Sequence, residues 1–562
     1  MRKTAQDNTK QFSLSFVTIA SVMIFISLAW TNIATGAWNP IIGIPQPNFG
    51  VNENPPPSPS PWSAGIQGFY YVCPSCAGST DTSNPYGWPT QPRLSIPNPI
   101  PAGSVVELHG QYNGDYLTIT AQGTLTLPVF LRGIAGERPT ISRQTKISGS
   151  YLIIENIIFG PSDNNDMLFG LSIPETNHFI TIRDCEFSGN LGRSGGITIG
   201  TWSYSGNSDA SDILLHNLQL HDLGDINSPI DQDKHCVTVN GSVNNLWLVN
   251  SEMARCSGDG IQIEAQQGKR DKIHHIYVGK NTSHDHKQTG MWIKHATDVI
   301  FSENTIYGHR PGNSSFGQGT GFQYGPEYVW FLANKIYNNN VGIGISSNDP
   351  PGDGTELFII GNLIHTIHNQ TDSTDPYNTG CIMIRGGTNR YIFNNTCYDY
   401  DSGINALSST GKYIIYNNIF SNRTIINGYD IYIPSQSSLA SNLRNTLIYN
   451  SVGLRINWNG SLKTDWNSFI TSTNEGTGCF STDPRFASPA SQDFHLQGTS
   501  PAIDTGSANV AGAYDTFYQR YGIRIDKDMD KRERPYGSAW DIGAYEYPPP
   551  SVPTINLIRA NQ

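Results

Sequence analysis

Between His216 and His309 the chain gathers nine histidines: His216, His221, His235, His274, His275, His284, His286, His295 and His309. The same window holds Asp231, Asp233, Asp259, Glu264, Lys287 and Lys294, whereas the neighbouring stretches are mostly Asn, Ser, Thr and Tyr between apolar residues. Ionisable groups concentrated in one place suit proton transfer and charge stabilisation, although polar loops on a long repetitive surface also collect them. Elimination next to a carboxylate needs three things: a neutraliser for that carboxylate, a base for the adjacent proton and an acid for the leaving oxygen. Asp231, Asp233, Asp259 and Glu264 are candidate calcium ligands for the first task. Lys287, Lys294 and His235 are candidates for the base. A glutamate stacked beside Lys294 raises its pKa, the wrong direction for a base. Glu264–Lys294 therefore reads as a salt bridge unless calcium absorbs Glu264, and Lys287, on a loop, is the freer lysine. Glycoside hydrolysis needs only two carboxylates, about 6.5–9.5 Å apart for inversion. Asp259 paired with Asp233 or Glu264 answers that description. His284-Asp285-His286 has a zinc-like spacing, but two histidines alone read more simply as stacked corner residues.

These side chains need a scaffold that brings distant residues together. Asp259–Glu264 and Thr289–Lys294 are short lines of the same shape, with Ile276–Asn281 between them as a second kind of line. Alternation turns Ile261 and Ile263 inward and Gln262 and Glu264 outward. One repeat on, Trp292 and Lys294 occupy the same columns, followed by Gln323 and Tyr324. Such a face suits a sugar ring, whose C–H side stacks on indole while amides meet hydroxyls. A tryptophan wedged under a loop is the alternative.

The second line recurs as apolar residues followed by Asn or Asp. It runs from Ile153–Asn156 through Ile182–Asp184, Leu215–Asn217, Leu248–Asn250 and Val278–Asn281 to Ile415–Asn418. A repeat of about 23–33 residues indicates a solenoid: the chain winds once per repeat and each strand pairs one coil away at about 4.8 Å. Asparagines at the corners then satisfy backbone groups that the turn leaves unpaired.

Composition agrees with an all-β chain. Of 562 residues only 14% are charged, with 56 Gly, 34 Pro and 27 Tyr. The formal charge of -11 argues against nonspecific nucleic-acid binding, which needs a basic footprint. Residues 1–37 read as a signal peptide or an uncleaved N-terminal membrane anchor, with Arg2, Lys3 and Lys10 ahead of an apolar run. Residues 38–66 read as a stiff Pro-rich linker, with ordered structure starting near Gly68. Cys73 and Cys76 form a local disulfide or remain two thiols, and Cys236 and Cys256 fall where they can pair.

Asn98–Tyr112 resembles the leading segment of right-handed parallel β-helix proteins of the pectate-lyase-like superfamily, with Gly103-Ser104 where an Asp is common. The resemblance spans roughly residues 69–479 and implies the fold; lyases, hydrolases, epimerases and noncatalytic proteins all share it. Ser500–Gly506, Asp528–Pro535 and Asp541–Tyr547 resemble a choice-of-anchor module, with Lys531 where that family usually has Gly. Asp504, Asp541 and Arg534 read as a buried network fixing a cap over the open end. Asp526, Asp528 and Asp530 alternate as calcium ligands can, but without the glycine of such loops they read as a solvated turn.

The expectation is therefore a right-handed parallel β-helix over residues 67–480, a C-terminal cap module over 481–547 and a short tail over 548–562. The protein is expected to be secreted or cell-surface and to act on an extracellular polysaccharide as a lyase or hydrolase. A noncatalytic carbohydrate-binding or adhesion protein is the competing class. Any membrane contact runs through an uncleaved N-terminus.

Overall fold

The computed structural model describes residues 38–548 apart from 135, 161–168, 190–194, 313–314, 347–355, 371–377, 387, 408–410 and 435–440. The expected signal or anchor and most of the tail lie outside the described residues. From Phe69 onward the chain is a right-handed parallel β-helix whose coils carry three sheets. In the central coils the first sheet contains Val243–Val249, Ile273–Gly279 and Thr297–Ser302. The second contains Glu252–Ala254, Thr282–His284 and Thr305–Tyr307, and the third Ile261–Glu264, Met291–Lys294 and Gln318–Gln323. Every one of these strands pairs in parallel with its counterpart one coil away. Inward residues stack in register, as in the column Leu246, Ile276, Val299 and Val329, all fully buried. Two lines per coil were legible in the sequence. The second sheet escaped because three-residue strands such as Glu252–Ala254 and Thr305–Tyr307 bury only one or two side chains, too few for a period to show.

The corner between the first and second sheets explains the recurrent asparagine, which turns out to mark two adjacent positions. The first position is left-handed, with φ of 58° at Asn156, 55° at Asp184, 53° at Asn217 and 54° at Asn250. Asn and Asp tolerate that conformation better than other residues with a Cβ. The second position is a fully enclosed ladder of Asn281, Asn304, Asn334, Asn362, Asn395 and Asn418. Asn304 donates its backbone N–H and its Nδ2 to Asn334 Oδ1, both at 3.0 Å, and Nδ2 also donates to Val278 O at 2.9 Å. Each rung thus satisfies a backbone donor and a backbone acceptor that the bend removes from the sheets.

Both ends of the chain wrap the solenoid. Residues expected as a free spacer instead lie on the first sheet, where Ile41, Ile42 and Ile44 are buried beside Trp247, Tyr277 and Ile300. The cause is the outward row of that sheet, which is apolar and needs cover; each buried isoleucine contributes about 1.5–3 kcal/mol. Carbonyls of the strap are bonded from the coil: Trp247 Nε1 donates to Pro45 O at 2.8 Å, and Arg183 to Gly50 O and Glu53 O at 2.9 Å. Residues 38–67 are therefore already part of the folded structure, well ahead of Gly68.

The C-terminal segment does not close the end of the solenoid either. That task falls to the hairpin Ile456–Trp458/Ser461–Lys463 and helix α1 (Trp466–Thr473), whose buried Phe469 meets Trp458 edge-on at 5.5 Å. The segment runs back along the flank. Helix α2 (Ala511–Tyr521) lays Tyr514 and Phe517 into the apolar cluster around Trp330, while Phe494 and Ile542 join Leu363 and Ile419. Of its expected polar network Asp541 and Arg534 are buried, whereas Asp504 is exposed. Asp541 accepts from Asp504 N at 2.7 Å and Tyr547 N at 2.6 Å, and Arg534 pairs with Glu546 at 2.9 Å, both side chains enclosed. Asp528 is buried rather than solvated, accepting from Asp530 N, Arg532 N and Glu546 N. Lys531 takes φ of 67°, the conformation for which glycine is the easier residue. No helix among the described residues is long and apolar enough to cross a membrane.

Asn334→Ala orphans groups on both neighbouring rungs at once. It should lower stability by about 2–4 kcal/mol and depress the thermal midpoint, read by differential scanning calorimetry.

Candidate functional site

The outer face of the third sheet carries the rows foreseen from alternation. Gln262 pairs with Trp292 and Glu264 with Lys294; one coil further, Trp292 pairs with Gly321 and Lys294 with Gln323. Two of these residues are nevertheless closed to a ligand. Trp292 is only 6% exposed, and a Cβ on Gly321 would sit 2.8 Å from its ring, so the indole lies over that glycine. Trp292 is packed against the neighbouring rung and presents little ring surface to a sugar. Gln262 is buried too, its Nε2 donating to Asp259 Oδ2 at 3.1 Å.

The expected catalytic groups are mostly engaged in holding turns. Asp259 is sealed, with Oδ1 accepting from Thr289 N at 2.9 Å, and burial pushes its carboxyl above the ordinary range. His235 Nδ1 accepts from Asp259 N at 2.8 Å, which places the imidazole proton on Nε2, 3.4 Å from Asp233. That nitrogen is therefore no base in this arrangement. Lys287, expected to be the freer lysine, donates to Ser228 O at 2.7 Å and Ile230 O at 2.8 Å and ties that loop to the coil. Glu264 and Lys294 form the anticipated salt bridge at 3.1 Å, with side chains 15% and 20% exposed.

Nor do the four carboxylates assemble a calcium site. Asp231 and Asp233 accept from Gln288 Nε2 at 2.8 and 3.1 Å, Asp259 is held by Thr289 and Gln262, and Glu264 by Lys294. Among the described residues the one compact group of possible ligands is Cys236, Cys256 and His286. Those cysteines are joined in a disulfide and offer no thiolate. The histidines of the HxH string also part company. His284 points outward and stacks on Tyr307 at 4.8 Å, whereas His286 points inward and stacks on His309 at 5.4 Å.

What remains open is a patch at the end of the third sheet, on two adjoining rungs. Lys294 and His295 stand on one, Gln323 and Tyr324 on the next, all four partly exposed. His295 and Tyr324 occupy left-handed corner positions with φ of 50° and 63°, and their rings stack at 5.2 Å. Neither makes a hydrogen bond or ion pair among the described residues. Tyr324 was anticipated for substrate contact; His295 stood out only as one histidine of nine, because a corner residue belongs to no alternating pattern.

The sequence matches no protein-family model and no curated protein. Among solved structures it is similar to pectate lyase Pel9A, at 14% identity over 85% of this chain and 96% of that one, with a TM-score of 0.39. It is also similar to the lacto-N-biosidase from Eubacterium ramulus, at 12% identity over 73% and 67%, TM-score 0.40. A third is a polysaccharide lyase from Pseudopedobacter saltans, at 12% identity over 71% and 93%, TM-score 0.35. Likeness at this level assigns no activity.

The stacked interior histidines have a measurable consequence. Burial holds His309 down at about 4 and His286 well below its ordinary value. The unfolded chain takes up protons below about 6.5 while the folded one refuses them, so stability is present above that pH and falls as pH drops towards 4. For His309 the loss amounts to roughly 3 kcal/mol. Neither His309 ring nitrogen has a hydrogen-bond partner, so His309→Phe keeps the stack without an orphaned polar atom. Thermal melts from pH 7 to 4.5 should show a shallower acid decline in His309→Phe than in the natural chain.

Proposed function

We propose that this protein is exported and acts on an extracellular uronic-acid polysaccharide by β-elimination, at the patch formed by Lys294, His295, Gln323 and Tyr324. The observation that carries the reading is this set of four partly open polar residues on two adjoining rungs, one of them an unbonded imidazole. Lys294, ion-paired with Glu264 at 3.1 Å, suits the first task of elimination: its ammonium can pair with the substrate carboxylate and make the C5 proton more acidic. The unbonded His295 imidazole accepts that proton as the C5–H bond breaks and the C4–C5 double bond forms. The Tyr324 hydroxyl protonates the oxygen leaving C4. Gln323 offers an amide to sugar hydroxyls.

Two-carboxylate hydrolysis fits less well. On the outward rows of the third sheet Glu264 is the one carboxylate among the described residues, and Lys294 already holds it. Three disulfides, Cys73–Cys76, Cys236–Cys256 and Cys381–Cys397, support an oxidising compartment and hence an exported chain. The C-terminal strings we read as a flank clamp similar to choice-of-anchor modules.

The test is ultraviolet absorbance of unsaturated uronate product on incubation with pectate, alginate and other polyuronates. His295→Ala should cut turnover by about 10²–10⁴-fold. Lys294→Ala should cut it by at least about 10²-fold. New reducing ends without absorbance would replace elimination by hydrolysis. Retention on a polysaccharide with neither product would make the protein a noncatalytic binder.

A further inference from the structure

The outward row of the second sheet is a ladder of flat rings. His284, Tyr307, Tyr337 and His365 stack at 4.8, 4.9 and 4.9 Å, with interplanar angles of 4°, 14° and 3°. Strand register carries the same row on through Tyr398, Ser421 and Tyr449. At Ser421 the ring is missing. Tyr398 and Tyr449 are therefore two rungs apart, about 9.6 Å at the usual inter-strand spacing, with a small hydroxyl between them. A cleft of about 600 Å³ opens at this point, between the second sheet and the returning C-terminal segment.

The lining of this cleft specifies a ligand class. Tyr398, Ser421, Tyr449 and Ser451 line it, and no hydroxyl of these four bonds to the protein among the described residues. Tyr449 is 42% exposed, so its ring is open to a ligand. Phe494 packs against Tyr398 at 5.1 Å and backs that wall. The facing wall carries one acidic and one basic side chain, Asp483 and Arg485, and so no net formal charge; Asp483 accepts from Arg485 N at 2.8 Å, and the Arg485 guanidinium donates to Thr499 O at 3.0 Å. A wall without net charge gives a polyanion no overall electrostatic advantage. A neutral pyranose meets it well, since its C–H faces pack on aromatic rings and its rim hydroxyls pair with hydroxyls.

We propose that this cleft is a second glycan site, which takes one ring of a neutral oligosaccharide between Tyr398 and Tyr449, in the place of the absent rung at Ser421. It stands on another face from the Lys294 patch and does not depend on the elimination reading. A carbohydrate-acting chain with such a site holds a neutral matrix glycan with one face while the other remains free.

Affinity gel electrophoresis of the full chain tests it, with xylan, mixed-linkage β-glucan or galactomannan embedded in the gel and pectate and alginate as acidic controls. Retardation is expected on at least one neutral glycan. Tyr449→Ala should weaken it about tenfold, the scale of one lost aromatic contact, and Lys294→Ala should leave it unchanged. Ser421→Tyr puts a ring in the gap at a residue only 4% exposed and should abolish retardation. Should that variant fold poorly, Tyr449→Ala decides alone, since it trims an open side chain. No retardation on any neutral glycan, retardation on polyuronates only, or full retention by Tyr449→Ala would overturn the proposal.

Discussion

Everything in this molecule depends on the lateral pairing of each strand with its counterpart one coil away. Parallel hydrogen bonding fixes the register, so residues some 30 positions apart in sequence become neighbours in a row; Glu264 Oε2 and Lys294 Nζ are one such pair. Corner turns threaten this arrangement, because each bend takes backbone groups out of the sheets with no water to receive them. The asparagine ladder answers that need at one corner. Its spacing ranges from 23 to 33 residues, so the turns absorb the variation in length while the rungs keep register.

The same need accounts for much of the ionisable cluster around the third sheet. Groups that look catalytic by type are bonded to backbone at turns: Asp259 to Thr289 N, His235 to Asp259 N, and Lys287 to two carbonyls. A buried polar group left unpaired costs free energy, so irregular loops against an apolar core recruit side chains that donate and accept. Concentration of such residues is thus a signature of demanding turns as much as of chemistry. Open, unbonded groups are the better guide, and on this face they include His295 and Tyr324.

Which faces meet solvent is decided by the two chain ends. The outward row of the first sheet holds Trp247, Tyr277, Ile300, Trp330 and Phe358, and the N-terminal strap and α2 bury it. Two Pro-rich and helical segments, remote in sequence, therefore perform one task on a single flank. The third sheet stays free of both, and the second is only partly covered, which leaves a cleft where the C-terminal segment crosses Tyr398 and Tyr449.

Particular residues show how far the sequence could be read. Alternation in Ile261–Glu264 and Met291–Lys294 was enough for the solenoid, the inward and outward faces and the Glu264–Lys294 bridge, because a period of two and a constant register are local properties repeated many times. The corner asparagines were visible as a signal, but their division into left-handed and ladder positions was not, since both occur beside each other. The fate of Trp292 depended on a glycine one coil away, that of Lys287 on carbonyls 57 and 59 residues distant, and that of the N-terminal strap on an apolar row that includes Trp247, 202 residues beyond Pro45. Sequence by itself determined which way each strand residue points. Only the tertiary structure decided which outward residues are covered and which remain open, because cover comes from segments whose partners lie on other coils.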